Sequence, residues 1–243
     1  MSDPGLVRFV EGLPQAPSGP ALQRAALGTG HALAEEFRFL AAKVAGLAGN
    51  RFTTIGVVSA GPGEGKTTVA LGLAAALARA DPNRVLLLEA DLRQPAVEKY
   101  LGLPRSAGVS EWLTGRATAA SVRVVNPPGF AVISAGREKL TRPELLGSDR
   151  MGSLIGACQL SFGFIVVDCP PLSPVADTVA LQDLLDGFLL VVRARHTPRE
   201  AVERAVSRLK DGRIQGIVLN EAPEILPTRY PAAYREYNQP SRR

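Results

Sequence analysis

A glycine-rich turn, placed between a short apolar run and a longer helical one, holds the residues of this chain best suited to chemistry. The stretch from Ile55 to Leu73 reads IGVVSAGPGEGKTTVALGL. Glycines let backbone N–H groups close around phosphate oxygens, and the N-terminus of the following helix adds partial positive charge. Lys66 can reach the β- and γ-phosphates, and the Thr67 hydroxyl can hold Mg²⁺. The motif therefore predicts a P-loop, the cradle of a nucleoside triphosphate.

The contacts expected of this turn run along its backbone and into the first turn of the helix. We expect the nucleotide to be bound by Gly61, Pro62, Gly63, Glu64, Gly65, Lys66, Thr67 and Thr68. Ala60 stands where the strict motif has a glycine. A strand-to-helix turn without a ligand is the alternative interpretation, and the Lys-Thr pair argues against it.

Acidic side chains follow two further apolar runs. The run VLLL is followed by Glu89, Asp91 and Arg93, and the run IVV is followed by Asp168. Mg²⁺ prefers oxygen ligands and keeps waters that carboxylates can hold, so we expect Thr67, Asp91 and Asp168 to hold the metal. Asp91 can also orient an acceptor group, and Arg93 can stabilise transferred charge. Helix caps, turn caps and surface ion pairs are the alternative roles of these side chains.

The elements that must position these residues alternate between strand and helix along the chain. Runs that are apolar on both faces predict buried parallel strands, and the helices between them must cover the sheet on both sides. We predict strands at 52–59, 84–90, 130–134, 164–168, 187–193 and 216–220, and helices at 32–47, 66–80, 109–113, 143–160, 178–185 and 198–209. The predicted fold is α/β: a three-layer P-loop NTPase with a mostly parallel central sheet flanked by helices. Ligands of such sheets bind at the C-terminal ends of the strands, where the polar residues above fall.

Composition indicates one domain with flanking segments. A chain of 243 residues with 46% hydrophobic content can bury one substantial core. We expect residues 1–30, rich in proline and glycine, to be largely disordered or loosely packed, residues 31–226 to form the P-loop domain, and residues 227–243 to form a flexible tail. No apolar run is long enough to span a bilayer and the N-terminus lacks the pattern of a signal peptide, so we expect a cytoplasmic protein.

Charge and cysteine content exclude some classes of function. The net charge is +5 and the pI is about 9.6, yet Lys and Arg are dispersed and no basic stripe is interleaved with aromatic residues. We therefore expect a solvated surface and no nucleic-acid partner. Cys158 and Cys169 are too few for a disulfide framework and fit buried thiols, and a redox role for Cys169 is the alternative.

Five stretches, taken together, resemble the bacterial protein-tyrosine kinases of capsule and exopolysaccharide synthesis. They are SAGPGEGKTT, LLLEADLRQPAVEKYLGLPRSAGVSEWLTG, FGFIVVDCPPLSPVADT, LLVVRARHTPREA and GIVLNEA, in the order of that family. The resemblance implies that Lys66 and Thr67 belong to the first motif (Walker A), Asp91 and Arg93 to the second (Walker A′), and Asp168 to the third (Walker B).

The same resemblance assigns further roles. Asp177 and Asn220 fall where the family has Asp and Asn, and Asn220 is expected to meet the adenine. Lys66 would neutralise the charge of the phosphates, while Asp91 or Glu89 would orient or deprotonate the acceptor tyrosine. ATP and Mg²⁺ are the cofactors that the family implies.

The chain departs from the family pattern at three positions. Glu89 replaces an aspartate, and a displacement of ~1 Å can cost on the order of 10²-fold in rate, so phosphotransfer is expected to be slow or adapted. Glu35 and Arg38 match the family's E-x-x-R-x-x-R oligomerisation segment, whereas Ala41 replaces its second arginine and argues against the family's ring. Cys169 replaces a threonine, a change from which no consequence follows here.

Three of the four tyrosines lie close to the end of the chain, in RYPAAYREYNQPSRR. Tyr230, Tyr234 and Tyr237 are the expected phosphoacceptors, since such a tail can reach the active site of another subunit. Each phosphate would add about −1.5 to −2 charges near pH 7 to an arginine-rich segment. Packing of these rings on the domain or on a partner is the alternative.

The sequence thus predicts a cytoplasmic ATP-dependent protein-tyrosine kinase that phosphorylates its own tail in trans and regulates polysaccharide synthesis or export. The resemblance implies a separate transmembrane activator, a polysaccharide co-polymerase, that recruits the kinase to the inner face of the plasma membrane. Two alternatives stay open: a switch ATPase of the partitioning and cell-division type, and an ATP-binding regulator without catalysis. The switch ATPases carry an extra lysine where this chain has Gly61.

Overall fold

The computed structural model describes residues 7–9, 31–48, 53–82, 84–125, 129–138, 142–174 and 177–222. Within them the chain alternates between strands and helices, as predicted. The strands are β1 (Val7–Phe9), β2 (Thr53–Ser59), β3 (Val85–Glu89), β4 (Ala120–Val125), β5 (Phe130–Ile133), β6 (Phe164–Asp168), β7 (Gly187–Arg193) and β8 (Ile214–Asn220). The α-helices are α1 (His31–Ala48), α2 (Lys66–Ala80), α3 (Val97–Leu101), α4 (Val109–Leu113), α5 (Asp149–Gln159), α6 (Asp177–Leu181) and α7 (Arg199–Val206), and a 3₁₀ helix spans Pro143–Gly147.

The strands form one sheet in the order β1-β4-β5-β3-β6-β2-β7-β8. All neighbouring pairs are parallel except β4 with β5. Because β3, β6 and β2 are adjacent and parallel, their C-terminal ends lie at one edge of the sheet. The register places Asp168 opposite both Glu89 and Val57, so the acidic strand ends come next to the start of the glycine-rich turn.

Each face of the sheet is covered by helices, because the central strands are apolar on both sides. All five residues of β3 are buried. α1 and α2 pack on one face and α4, α5 and α7 on the other. The contact of α1 with α2 needs a glycine, since a Cβ at Gly72 would lie 2.3 Å from the Phe37 ring. The predicted α/β fold with a mostly parallel, flanked sheet is confirmed.

β4 was not expected from the sequence. Its pattern is interrupted by Arg123, which looks like a surface residue and yet is buried in the structure. Its guanidinium donates to the Pro104 carbonyl at 2.7 Å and to the Glu98 carboxylate and Ser134 hydroxyl at 2.8 Å each. Tertiary partners satisfy the charge, which a local pattern cannot show.

Other elements differ from the prediction in extent. The predicted helix 143–160 is broken at Ser148, whose backbone is extended, and the predicted helix 178–185 ends at Leu181. The short helix α3 was not expected. Residues 7–9, within the range 1–30 that was predicted to be largely disordered or loosely packed, pair with residues 120–122. An open strand edge offers backbone groups that pair with little regard to side-chain pattern. The rest of that range and the predicted tail 227–243 lie outside the described residues.

Among the residues described, no helix combines the length and apolarity that a membrane crossing needs.

Candidate nucleotide-binding site

The turn after β2 is held in shape by its own side chains. Gly63 and Gly65 have φ values of 76° and 92°, which residues with a Cβ rarely adopt. The Glu64 carboxylate accepts hydrogen bonds from the N–H groups of Ala60 and Gly61 at 3.1 and 3.2 Å. The first half of the turn is therefore closed by Glu64, and the backbone from Gly65 onwards begins α2, where helical N–H groups are available to an anion.

Asn220, at the end of β8, lies directly against this turn. Its side-chain Nδ2 donates to the Glu64 carbonyl at 2.9 Å. A Cβ on Gly65 would lie 2.1 Å from the same nitrogen, so this approach requires a glycine. The predicted site residue Asn220 thus lies against the P-loop and ties the edge of the sheet to it.

Lys66 lies between the two acidic strand ends. Its Nζ is 2.7 Å from Asp91 Oδ2 and 4.0 Å from Asp168 Oδ1. Burial lowers the pKa of Lys66, but the negative charges of Asp168 and Asp91 outweigh it and the net shift is upward. The ammonium therefore stays charged where phosphate oxygens would approach. The structure brings together the three charged residues on which the prediction rested.

Asp168 is fully buried, and neither of its carboxylate oxygens accepts a hydrogen bond from the described residues. Burial raises the pKa of Asp168 to about 7, although the charge of Lys66 and the nearby Thr67 hydroxyl oppose the shift. A buried carboxylate without donors is costly unless a ligand completes it.

This arrangement fits a magnesium ion bound with a nucleotide. Thr67, at the start of α2, is buried, and its hydroxyl lies near the Asp168 carboxylate. The described residues include no cluster of three or more His, Cys, Asp or Glu side chains able to hold a metal. Mg²⁺ does not need one, since it takes few protein ligands and fills its octahedron with water and phosphate oxygens.

Glu89 is placed differently from the other acids. Its carboxylate is fully buried and accepts three backbone N–H bonds, from Ala96 at 2.6 Å, Val97 at 2.8 Å and Ala135 at 2.9 Å. Burial raises the pKa of Glu89, and although these three N–H groups oppose it, the net shift is upward. The side chain that was expected to serve the acceptor is thus engaged with the backbone of two loops.

Arg93 points to a partner that motif spacing alone does not reveal. Its Nε and Nη2 donate to the buried Asp177 carboxylate at 2.5 and 3.3 Å. The hydrogen bond that Arg93 donates to Asp177 and the negative charge of that carboxylate raise the pKa of Arg93. The pair joins the loop after β3 to the first residue of α6, so Arg93 is anchored at the rim of the site.

A cavity of about 400 Å³ opens beside the first half of the turn, on the side of α7. Its walls include Pro62, Ser173, His196 and Arg204. None of the acidic strand ends lines it, so the cavity is separate from the Lys66 cluster.

Both cysteines are buried, as expected of structural thiols. Burial raises the pKa of Cys158 to about 12 and that of Cys169 well above its ordinary value. A high pKa disfavours the reactive thiolate, which argues against a redox role for Cys169.

The predicted oligomerisation segment lies on α1. Glu35 and Arg38 form an ion pair on its exposed side. Ala41 is buried in the core that α1 shares with α2, so a long charged side chain has no room there. The expected phosphoacceptors Tyr230, Tyr234 and Tyr237 lie outside the described residues.

Residues 55–224 match the model of the CobQ/CobB/MinD/ParA nucleotide binding domain. The chain belongs to this family. Membership of a nucleotide-binding domain family favours the P-loop interpretation of the turn at residues 60–67 over a turn without a ligand.

Named relatives indicate which members of the family this chain resembles. The chain is 35% identical to the succinoglycan biosynthesis transport protein ExoP of Rhizobium meliloti over 181 residues, which cover 72% of this chain and 23% of ExoP. It is 30% identical to the tyrosine-protein kinase YwqD of Bacillus subtilis over 167 residues, which cover 68% of this chain and 70% of YwqD. The chain thus spans about a quarter of ExoP and more than two thirds of YwqD.

A solved structure agrees with these relatives. The kinase domain of the Escherichia coli tyrosine kinase ETK matches with a TM-score of 0.76 and 27% identity, covering 87% of this chain and 84% of that domain. The resemblance to the bacterial protein-tyrosine kinases that the motifs indicate is confirmed.

Proposed function

We propose that this CobQ/CobB/MinD/ParA-family chain is an ATP-dependent protein-tyrosine kinase that acts in polysaccharide synthesis or export. The observation that carries the proposal is the position of Lys66, 2.7 Å from Asp91 and 4.0 Å from Asp168 at the end of the P-loop. Relatives named as tyrosine kinases support the choice of reaction.

ATP binding begins with an exchange of ion pairs. The N–H groups at the start of α2 bind the phosphates, and Lys66 moves its ammonium from Asp91 towards the β- and γ-phosphate oxygens. Asp91 Oδ2 then loses its cation and faces the incoming acceptor, while Oδ1 stays bonded to the Gln94 N–H.

In this mechanism Thr67 and Asp168 would hold Mg²⁺, while Asp91, the third candidate metal ligand, serves the acceptor. The ion supplies neutralisation of the negative charge that develops on the phosphate oxygens. Asp168 suits the part because its oxygens carry no other hydrogen bond from the described residues. Asn220 holds the turn against β8 at the side where the base of the nucleotide would lie.

In the transfer step the phenol oxygen of a tyrosine bonds to the γ-phosphorus. The bond from that phosphorus to the β–γ bridging oxygen breaks, and ADP leaves with the electron pair. The phenol proton passes to the Asp91 carboxylate, and Arg93 stabilises the transferred charge from the rim of the site. Lys66 stays on the β- and γ-phosphates throughout.

The acceptors are Tyr230, Tyr234 and Tyr237 of another copy of the chain. Their phosphorylation makes an arginine-rich segment acidic, which weakens or creates docking contacts. A separate transmembrane activator of the polysaccharide machinery recruits the kinase to the inner face of the membrane. Copies meet in a homo-oligomer whose contacts differ from the E-x-x-R-x-x-R ring, because Ala41 is buried.

Labelled ATP tests the reaction. Wild-type protein is incubated with γ-labelled ATP and Mg²⁺ beside a variant with Tyr230, Tyr234 and Tyr237 all changed to Phe and beside Lys66→Met. Label on the tail of the wild type, and on neither variant, supports the kinase. Release of free phosphate without label on the protein would assign a switch ATPase, and nucleotide binding with neither would assign a regulator.

A mixing experiment tests transfer between copies. Lys66→Met protein with an intact tail is combined with the triple Tyr→Phe protein, which has an intact site. We expect label on the Lys66→Met chain. Absence of label there, with a fully labelled wild type, would show that transfer occurs within one copy.

A further inference from the structure

Glu89 connects three segments of the chain. It ends β3, and its buried carboxylate receives the N–H of Ala96 and of Val97 on Oε1 and the N–H of Ala135 on Oε2. Ala96 and Val97 are the last loop residue and the first residue of α3, and Ala135 follows β5. One side chain thus joins β3, α3 and the loop after β5.

The segment between β3 and α3 is the acidic loop, residues 90–96, which carries Asp91 and Arg93. Its first residues are fixed because the N–H groups of Ala90 and Asp91 donate to the Asp168 carbonyl at 2.8 and 3.1 Å. Its last residues are fixed by the Glu89 carboxylate. With both ends held, the loop keeps Asp91 beside Lys66 and Arg93 beside Asp177.

The same contacts leave Glu89 no room to act on an acceptor. Both oxygens already bind backbone donors, and the side chain is fully buried. A carboxylate has about four lone-pair sites, of which these donors occupy three, and full burial of the side chain gives a phenol no path to the remaining site on Oε2. Asp91 Oδ2 has no such backbone donor, and Lys66 is its ion-pair partner.

We propose that Glu89 is a positioning residue that sets the acidic loop, and that it does not accept the proton of the acceptor. Glutamate suits this task where aspartate does not, because the extra methylene carries the oxygens ~1 Å further, to donors on two different segments. The effect of Glu89 on phosphate transfer rests on the proposed kinase function. The three hydrogen bonds that its carboxylate accepts, termed the clamp, do not depend on that function.

The test compares Glu89→Gln and Glu89→Asp in the full chain with a matched control, Glu111→Gln. Glu111 is also a buried glutamate whose oxygens accept backbone N–H bonds, from Gly108, Arg137 and Glu138, away from the acidic loop. Amide hydrogen exchange by NMR at residues 96, 97 and 135 reads the clamp directly, and tail labelling gives kcat, KM for ATP and the pH profile.

For a positioning role we expect faster exchange at these amides in both Glu89 variants. We expect a kcat lower by about 10- to 100-fold, a KM for ATP within about twofold of wild type, and a pH profile of unchanged shape. Glu111→Gln should lose stability with little change in kcat. Wild-type or higher kcat in Glu89→Asp, or loss of the acidic limb of the profile in Glu89→Gln, would overturn the proposal.

The exchange measurement separates this inference from the kinase proposal. If the wild type transfers no label to its tail, the kinase proposal fails, while faster exchange at residues 96, 97 and 135 in the variants still supports the clamp. Unchanged exchange at those amides overturns the clamp whatever the activity. If Glu89→Gln does not fold, Glu89→Asp carries the same measurements.

Discussion

Two carboxylates face each other across neighbouring strands and differ in almost everything except burial. Glu89 ends β3, Asp168 ends β6, and the two are register partners. Both are fully buried. Glu89 accepts three backbone N–H bonds, whereas Asp168 accepts none from the described residues. The fold supplies backbone donors to Glu89, and none of the described N–H groups reaches the Asp168 carboxylate, which suits the proposed metal-binding role.

The segments that follow each strand explain the difference. After β3 the chain turns back and presents the N–H groups of Ala96 and Val97 to the glutamate. After β6 it continues through Cys169, whose N–H donates to Val57, and then through Pro170 and Pro171, which have no N–H group to offer. The carboxylate oxygens of Asp168 therefore accept no hydrogen bond from the segment that follows β6, because that segment supplies no donor.

The largest effect is expected from the replacement of Asp168 by Asn, which tests this comparison. We expect tail labelling to fall by about 10²- to 10³-fold, because the amide removes a charge that the site needs. Stability should rise by about 1–3 kcal/mol at pH 8, since a buried carboxylate without donors becomes neutral. Denaturant unfolding of both proteins measures the change.

Glu89→Gln is the matched variant for stability, and it should lower the free energy of unfolding by a similar amount. Equal signs for the two variants would mean that the hydrogen bonds do not distinguish these carboxylates.

A pH series sharpens the same contrast. The pKa of Asp168 is raised from 3.8 to about 7 in the folded protein, so the folded state holds a proton that the unfolded state has lost. Stability from this group therefore falls as pH rises from about 4 to 7 and is level above that range, a loss of a few kcal/mol.

The free energy of unfolding of wild type should thus drop below that of Asp168→Asn as pH increases from 5 to 8. Groups away from this cluster titrate alike in both proteins and cancel in the difference. Parallel curves over that range would contradict the raised pKa.

Asp177 provides an intermediate case, a buried carboxylate with an arginine as its donor. Arg93→Gln removes the cation and leaves the carboxylate in place. We expect labelling to fall about 10-fold and stability by about 1 kcal/mol, because Arg93 is 45% exposed and solvent screens the pair. Arg142→Gln, at an exposed pair with Glu144, is the control and should change neither. An equal effect of both variants would show that Arg93 has no specific role in the transfer reaction.

Most of the nucleotide site could be predicted from the sequence. The turn from Gly61 to Thr68 is continuous in the chain, and the apolar runs that end in Asp91 and Asp168 are local patterns. Adjacent parallel strands then bring those ends together, so the proximity of Lys66, Asp91 and Asp168 follows from the predicted sheet.

The parts that could not be predicted depend on residues distant in the chain. Arg123 belongs to a buried strand because Glu98 and Ser134 satisfy its charge. Arg93 has a buried partner because α6 begins beside the acidic loop. No local pattern carries either fact.

The sequence by itself determined which side chains could bind a triphosphate, because a P-loop and the ends of apolar strands are written in consecutive residues. Only the tertiary structure decided which carboxylate accepts backbone hydrogen bonds and which does not. Glu89 and Asp168 look equivalent in the chain, but hydrogen bonds depend on where distant N–H groups arrive in space. Three arrive at Glu89 and none of the described ones at Asp168.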